Sequence, residues 1–356
     1  MAAQSAAPAA AWSRLGLSRG DAVRAGVIVV LVALVMFVLP ALVSLFWVDT
    51  FTSTVIYAIV ALGLGILVGR VGMFSLGQIA VLALGSWVAA RLLFATSLPY
   101  PVVLVMAGLI TAVLGTAIGL PALRVSGLYL ALVTLMLAGA ITIVLTQTNF
   151  PNGAKGFLGY FDQSTGVPPA IRRPSIAASD PAFFRYCVIV ALLMFMLALW
   201  HIRSKPGRAW AAIRQSEPAA LAAGVNVTFY KLWAFALAAF ITGVAGGLLG
   251  SSARVLYTYQ FPTSQSIVLL AVVLMGGVYS LWGAVVAALL LEALPALFTV
   301  WNFPANLPTV LFGIGVLQVL TMAPRGLAHQ VPKDLANLGR LLLRVARRGA
   351  ATQGRA

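Results

Sequence analysis

A chain of 356 residues, 62% of them hydrophobic and only 8% charged, has far more apolar surface than a water-soluble core can hide, and it reads as a polytopic membrane protein. The single cysteine, Cys187, excludes a disulfide framework within the chain, and two histidines, His201 and His329, leave no His-based metal cluster. A net charge of +16 suits either nucleic acid or membrane topology, and its distribution decides between them.

Residues 1–24, rich in Ala and Ser with scattered Arg, read as a flexible cytosolic tail. The apolar run 25–48 is too long for a signal-peptide core and is expected to be an uncleaved first span, kinked at Pro40. A second span is expected at 52–69, with Gly65 and Gly69 spaced for close helix contact. Segment 73–94 is less apolar, with Ser75, Gly77, Gln78, Gly85, Ser86 and Arg91, and suits either a full span or a broken, cavity-lining element. Topological parity favours the crossing. Spans four and five are placed at 99–120 and 126–146, followed by an outer segment, 147–185, rich in Pro, Gly and Asn. That segment reads as part lid or docking surface, or as a flexible loop without a role.

A sixth span, 183–202, enters the most polar stretch of the chain. Loop 203–231 carries Arg203, Lys205, Arg208, Arg214 and Lys231 against one acid, Glu217. Basic loops resist translocation, so it is assigned to the cytosol. Ser204 and Pro206 suit a helix start, and Trp210 and Ile213 lie three apart on one side. Ser216 can cap a second short helix that tolerates Pro218 in its first turn and ends at Gly224. Arg214 stands within i,i+3 reach of Glu217. Asn226-x-Thr228 matches a glycosylation sequon, but on the cytosolic side Thr228 reads better as a helix cap. Two short helices along the membrane surface make a handle for another protein; the alternative is a solvated basic loop.

The seventh span, 231–253, has a small-residue face of Gly243, Gly246, Gly247 and Gly250. Spans eight to ten are expected near 264–281, 284–300 and 307–322, before a basic cytosolic tail, 324–356. The fold class is therefore all-α and polytopic, a transmembrane domain over 25–323 of about ten helices with a cytosolic helical loop. With the N-terminus inside, most of the 23 Lys and Arg fall on the cytosolic side, facing an anionic inner leaflet. Nucleic acid is not needed to account for the charge.

No catalytic constellation is visible. Seven scattered acids form no acid/base pair, neither histidine has the context of a triad, and Lys155 after Gly153 lacks the phosphate-loop spacing. Transport remains, with a non-transporting scaffold disfavoured by the glycine-rich helices. An ion-coupled secondary transporter needs intramembrane ionisable groups, and Glu292 alone sits well inside a span. Pro295 frees the carbonyl of Leu291, so a protonated Glu292 can bond within its own helix; the functional alternative is that it meets the amino group of a zwitterionic solute. Ser75 and Gln78 share a helix face that suits a translocation path with Tyr129 and Thr134 as neighbours, or interhelical hydrogen bonds that only fix packing.

Several stretches carry a resemblance. Ala219, Ala220 and Gly224 stand in the register of the Glu-Ala-Ala, three residues, Gly pattern of bacterial ABC importer permeases, with Pro218 in place of the Glu and Glu217 one residue early. GRVGMFSLGQIAVLALGSWVAA near 70, LRVSGLYLALVTLML near 123, TNFPNG at 148 and VLMGGVYSLWGAVVAALL at 273 resemble the LivM-like permeases of branched-chain amino acid transporters. The resemblance covers most of 55–323. It implies a permease subunit without a cofactor of its own, with ATP and Mg²⁺ on two separate ATP-binding subunits. It further implies a sibling permease and an extracytoplasmic substrate-binding protein that selects the solute. The implied solutes are leucine, isoleucine and valine, with urea, short amides or other small organic solutes as the alternative. Coupling to the ATPase then falls to Arg208, Arg214, Glu217, Ala219, Ala220 and Gly224.

Overall fold

The computed structural model describes residues 26, 30–122, 127–147, 171–304 and 307–322. Regular structure among them is helical throughout. In chain order the helices are α1 (Val30–Leu42), α2 (Leu45–Val71), α3 (Gln78–Ala95), α4 (Tyr100–Ala122) and α5 (Leu128–Gln147). They continue as α6 (Asp180–Arg203), α7 (Lys205–Gln215), α8 (Glu217–Ala222), α9 (Val227–Ala253), α10 (Gln265–Gly276), α11 (Leu281–Val300) and α12 (Leu307–Met322). Seven of these, α2 to α6 with α9 and α11, are long and apolar enough to cross a membrane. The apolar helices α1, α10 and α12 are shorter. The tails 1–24 and 324–356, and most of segment 147–185, lie outside the described residues.

Three expectations need correction. The first apolar run does not continue to residue 48: Val43 and Ser44 are extended, with ψ of 156° and 161°, and α2 starts at Leu45. An unbroken apolar composition concealed this corner. Pro40 occupies the first turn of Leu39–Leu42 instead of kinking a long span. Thr228 is not the cap of α9. That role belongs to Asn226, whose Oδ1 accepts from the Phe229 N–H at 3.0 Å.

α9 is the central post, packed against α4, α3 and α2. Its glycine face does what the spacing predicted. A Cβ at Gly246 would lie 2.4 Å from the Leu82 carbonyl oxygen, and one at Gly85 would lie 2.5 Å from that of Gly243. Only hydrogen fits where α3 and α9 touch. The contact is also bonded, because Ser86 Oγ donates to the Gly246 carbonyl at 2.8 Å. Lipid supplies no hydrophobic drive between helices, so close backbone packing and such bonds hold the pair.

Two helices widen into π turns, α2 at Ile66–Val71 and α11 at Leu289–Ala293. The second lies just before Pro295, which cannot donate to the ladder, and the wider turn takes up the break. Between α10 and α11 the chain turns at Gly277, φ 108°, and Ser280 caps α11 by accepting from Gly283 N–H at 3.1 Å. The far end of segment 147–185 is tethered. Arg173 pairs with Asp180, donates to the Ser251 carbonyl at 3.1 Å and lies 4.6 Å over the Phe183 ring.

Candidate functional site

α7 and α8 form the predicted helix pair. α7 has an amphipathic face whose buried members are Ala209, Trp210 and Ile213. Trp210 is fully buried, and its indole N–H donates to the Tyr230 carbonyl at 2.8 Å, tying α7 to the start of α9. Ser216 Oγ accepts from Ala219 N–H at 3.4 Å, and the pair ends at Gly224 with φ 79°, both as expected. Past this end, Val225 N–H returns to the Ala220 carbonyl at 3.0 Å, closing the last turn.

The residues expected to couple differ in exposure and partners. Arg208, Arg214, Glu217 and Ala219 are exposed, and Ala220 is buried against the bundle. Glu217 does not take Arg214. It accepts from Lys231 at 2.6 Å, a bond in which the Lys231 side chain is only 11% exposed. Arg214, itself exposed, bonds the bundle instead, donating to the Gly69 carbonyl in the π turn of α2 and to Tyr279 Oη at 2.7 Å. Its guanidinium also lies 4.3 Å over the Tyr279 ring. Arg70 donates to the Tyr279 carbonyl from the other side, at 3.1 Å. Local spacing offered Arg214 and Glu217 to each other, but the tertiary fold supplied both with better partners.

A second cluster lies at the entry to α3. Ser75, Gln78 and Thr134 line one small recess together with Gly115, Phe235 and Ala239. All three polar residues are buried. Thr134 Oγ1 accepts from Leu76 N–H at 2.9 Å, and Gln78 Oε1 accepts from Thr242 Oγ1 at 2.9 Å. Tyr129 does not join them and is 71% exposed. Arg91 is buried and kept away from lipid. Thr242 was missed, since a lone threonine within an apolar span gives no local signal.

Glu292 stands apart from the recess. It lies half-buried in the π turn of α11, which packs against α2, within electrostatic reach of Tyr57 and Asp49. The widened turn accommodates Pro295. Among the described residues no group of His, Cys, Asp and Glu suits a metal ion.

Comparison with known proteins places this architecture. The family of branched-chain amino acid transport system permease components matches residues 46–320. The chain is 33% identical over 314 residues to the high-affinity branched-chain amino acid transport system permease protein LivM of Salmonella typhimurium, covering 81% of this chain and 71% of that protein. It is 32% identical over 307 residues to LivM of Escherichia coli, with the same coverage. No solved structure matches it. With the family pattern running through nearly all of the described helices, the chain belongs to the permease components of branched-chain amino acid transport systems.

Proposed function

We propose that this chain is the membrane-spanning subunit of an ATP-driven importer and passes leucine, isoleucine and valine handed over by an extracytoplasmic binding protein. The observation that carries this reading is the α7–α8 pair: capped at Ser216, stopped at Gly224 and anchored by Trp210, it is built to bear load. In this reading α1, α10 and α12 complete ten spans, both termini are cytosolic, and the pair lies on the cytosolic face of the inner membrane. Two separate ATP-binding subunits press on its exposed residues, Arg208, Glu217 and Ala219. ATP and Mg²⁺ bind there and not here. A sibling permease forms the other wall of the path, as the exposed apolar flanks of α4 and α5 allow.

Within this chain the path runs by the α3 entry, where Ser75, Gln78 and Thr134 offer hydrogen-bonding groups in an apolar bundle. The chain itself makes no covalent chemistry. Its work is to hold a polar passage closed until the coupling pair moves. Affinity purification from membranes tests the assembly. Soluble ATPases and a sibling permease should co-purify, and deleting 207–224 should release the ATPases while leaving the sibling bound. Retention of the ATPases by that deletion would place their docking surface elsewhere.

A further inference from the structure

Among the described residues, Tyr279 is met by both Arg70 and Arg214 at the α7 end of the bundle. Its carbonyl accepts from Arg70, its hydroxyl accepts from Arg214, and its ring lies beneath the Arg214 guanidinium. Arg214 belongs to α7, Arg70 to the π turn of α2, and Tyr279 to the turn between α10 and α11. Three elements thus meet at one side chain. The acceptors are two carbonyls and a phenol, with no carboxylate among the described residues. The two cations also face the C-terminal end of α2, whose last carbonyls favour positive charge.

The parts on either side of this joint are stiff. A Cβ at Gly69 would lie 1.9 Å from the Val278 carbonyl oxygen, so the α2 end and the 277–280 turn are in backbone contact. A Cβ at Gly276 would lie 2.3 Å from the Gly283 carbonyl oxygen, which locks α10 to α11 as a hairpin. Ser280 caps the start of α11. Displacement of α7 therefore reaches α11, and the Glu292 turn upon it, without a slack segment between.

Resting on the importer reading above, we propose that Tyr279 is the positioning residue that makes α7, the α2 end and the α10–α11 hairpin move as one body when the ATPases act. The exposed residues of α7 and α8 receive the force, and Tyr279 delivers it. Arg214 serves this joint through its bonds to Gly69 and Tyr279.

The test uses the complete transporter, with sibling, ATPases and binding protein, in proteoliposomes. Tyr279→Ala should assemble normally and keep basal ATP hydrolysis, while leucine moved per ATP falls about tenfold, the scale of a lost cation–π contact and hydrogen bond together. Tyr279→Phe keeps the ring and should lose less. Arg214→Ala combined with Tyr279→Ala should be no worse than Arg214→Ala alone, which already removes every Arg214–Tyr279 contact. Spin labels on Cys replacing the exposed Ala211 of α7 and Trp282 of α11 should keep one separation with and without nucleotide. Tyr279→Ala should broaden that distance in the nucleotide-bound state. An unchanged leucine-to-ATP ratio in Tyr279→Ala, or parallel loss of abundance, hydrolysis and uptake, would overturn the proposal. So would a label distance that changes with nucleotide in the unsubstituted joint. Absence of leucine uptake by the unaltered transporter would instead count against the importer reading, and the label distance would still judge the joint.

Discussion

Lys231 Nζ, near the start of α9, donates to Glu217 Oε1 of α8 across 2.6 Å. The lysine side chain is 11% exposed and the carboxylate 48%, so the pair is screened on one side only. Its worth is about 1 kcal/mol, between an exposed pair and a buried one. The bond ties the helix pair to the central post. Glu217→Lys should place two cations together, loosen α8 and cut binding-protein-stimulated ATP hydrolysis without blocking membrane insertion. Exchange of both residues, Glu217→Lys with Lys231→Glu, should restore much of the stimulation. Failure of the exchange would show that Glu217 acts through its exposed side.

Gly224 closes α8 with φ 79°, and nothing lies within 4 Å of a Cβ built there. Space is available, so the cost of substitution is conformational. A β-branched residue in that region costs about 2 kcal/mol, Ala less, and Asn less again. Stimulated ATP turnover should fall in the order Gly, Asn, Ala, Val at matched membrane abundance. Equal turnover in all four would remove the left-handed turn from the mechanism.

The legible features were those written in polar or small residues. Ser216 and Gly224 mark the ends of α8 because capping and left-handed turns have local chemical requirements. The glycine face of α9 was readable for a similar reason, since close backbone contact excludes side chains. The partner of Glu217 was not readable. Arg214 has the right spacing, but Lys231 and Tyr279 are brought in by folding and leave no periodic trace. The corner at Val43 and Ser44 was hidden because core-facing and lipid-facing residues are both apolar, so hydrophobic periodicity fades inside a membrane. Ser75, Gln78 and Thr134 were grouped from their polarity and do meet; Tyr129, grouped with them, faces outward.

The Gln78–Thr242 bond separates path from packing. Thr242→Val keeps the shape and leaves the buried Gln78 oxygen without its donor, a loss of about 1–3 kcal/mol in stability. Ser75→Cys should react with a water-soluble thiol reagent at a rate that changes with nucleotide. Native Cys187 is fully buried, so labelling reports the introduced thiol. A Ser75→Cys thiol inert in every nucleotide state would leave the recess a packing feature.

Glu292 offers a cleaner substitution. Glu292→Gln keeps the volume and a donor but removes any charge beside Tyr57 and Asp49. If the group serves only helix packing, leucine uptake at equal membrane abundance should stay within about twofold, the effect of well under 1 kcal/mol. A tenfold loss with normal abundance would move Glu292 onto the substrate path.

The central claim is that this family member works as the ATP-driven import subunit, and reconstitution tests it most directly. Liposomes holding the chain with its sibling permease and two ATP-binding subunits, supplied with binding protein and external [³H]leucine, should accumulate label only when ATP is inside. Removal of the ATPases should abolish uptake, and an imposed proton or sodium gradient should not replace them. Accumulation by the chain alone, driven by an ion gradient without ATP, would contradict the account.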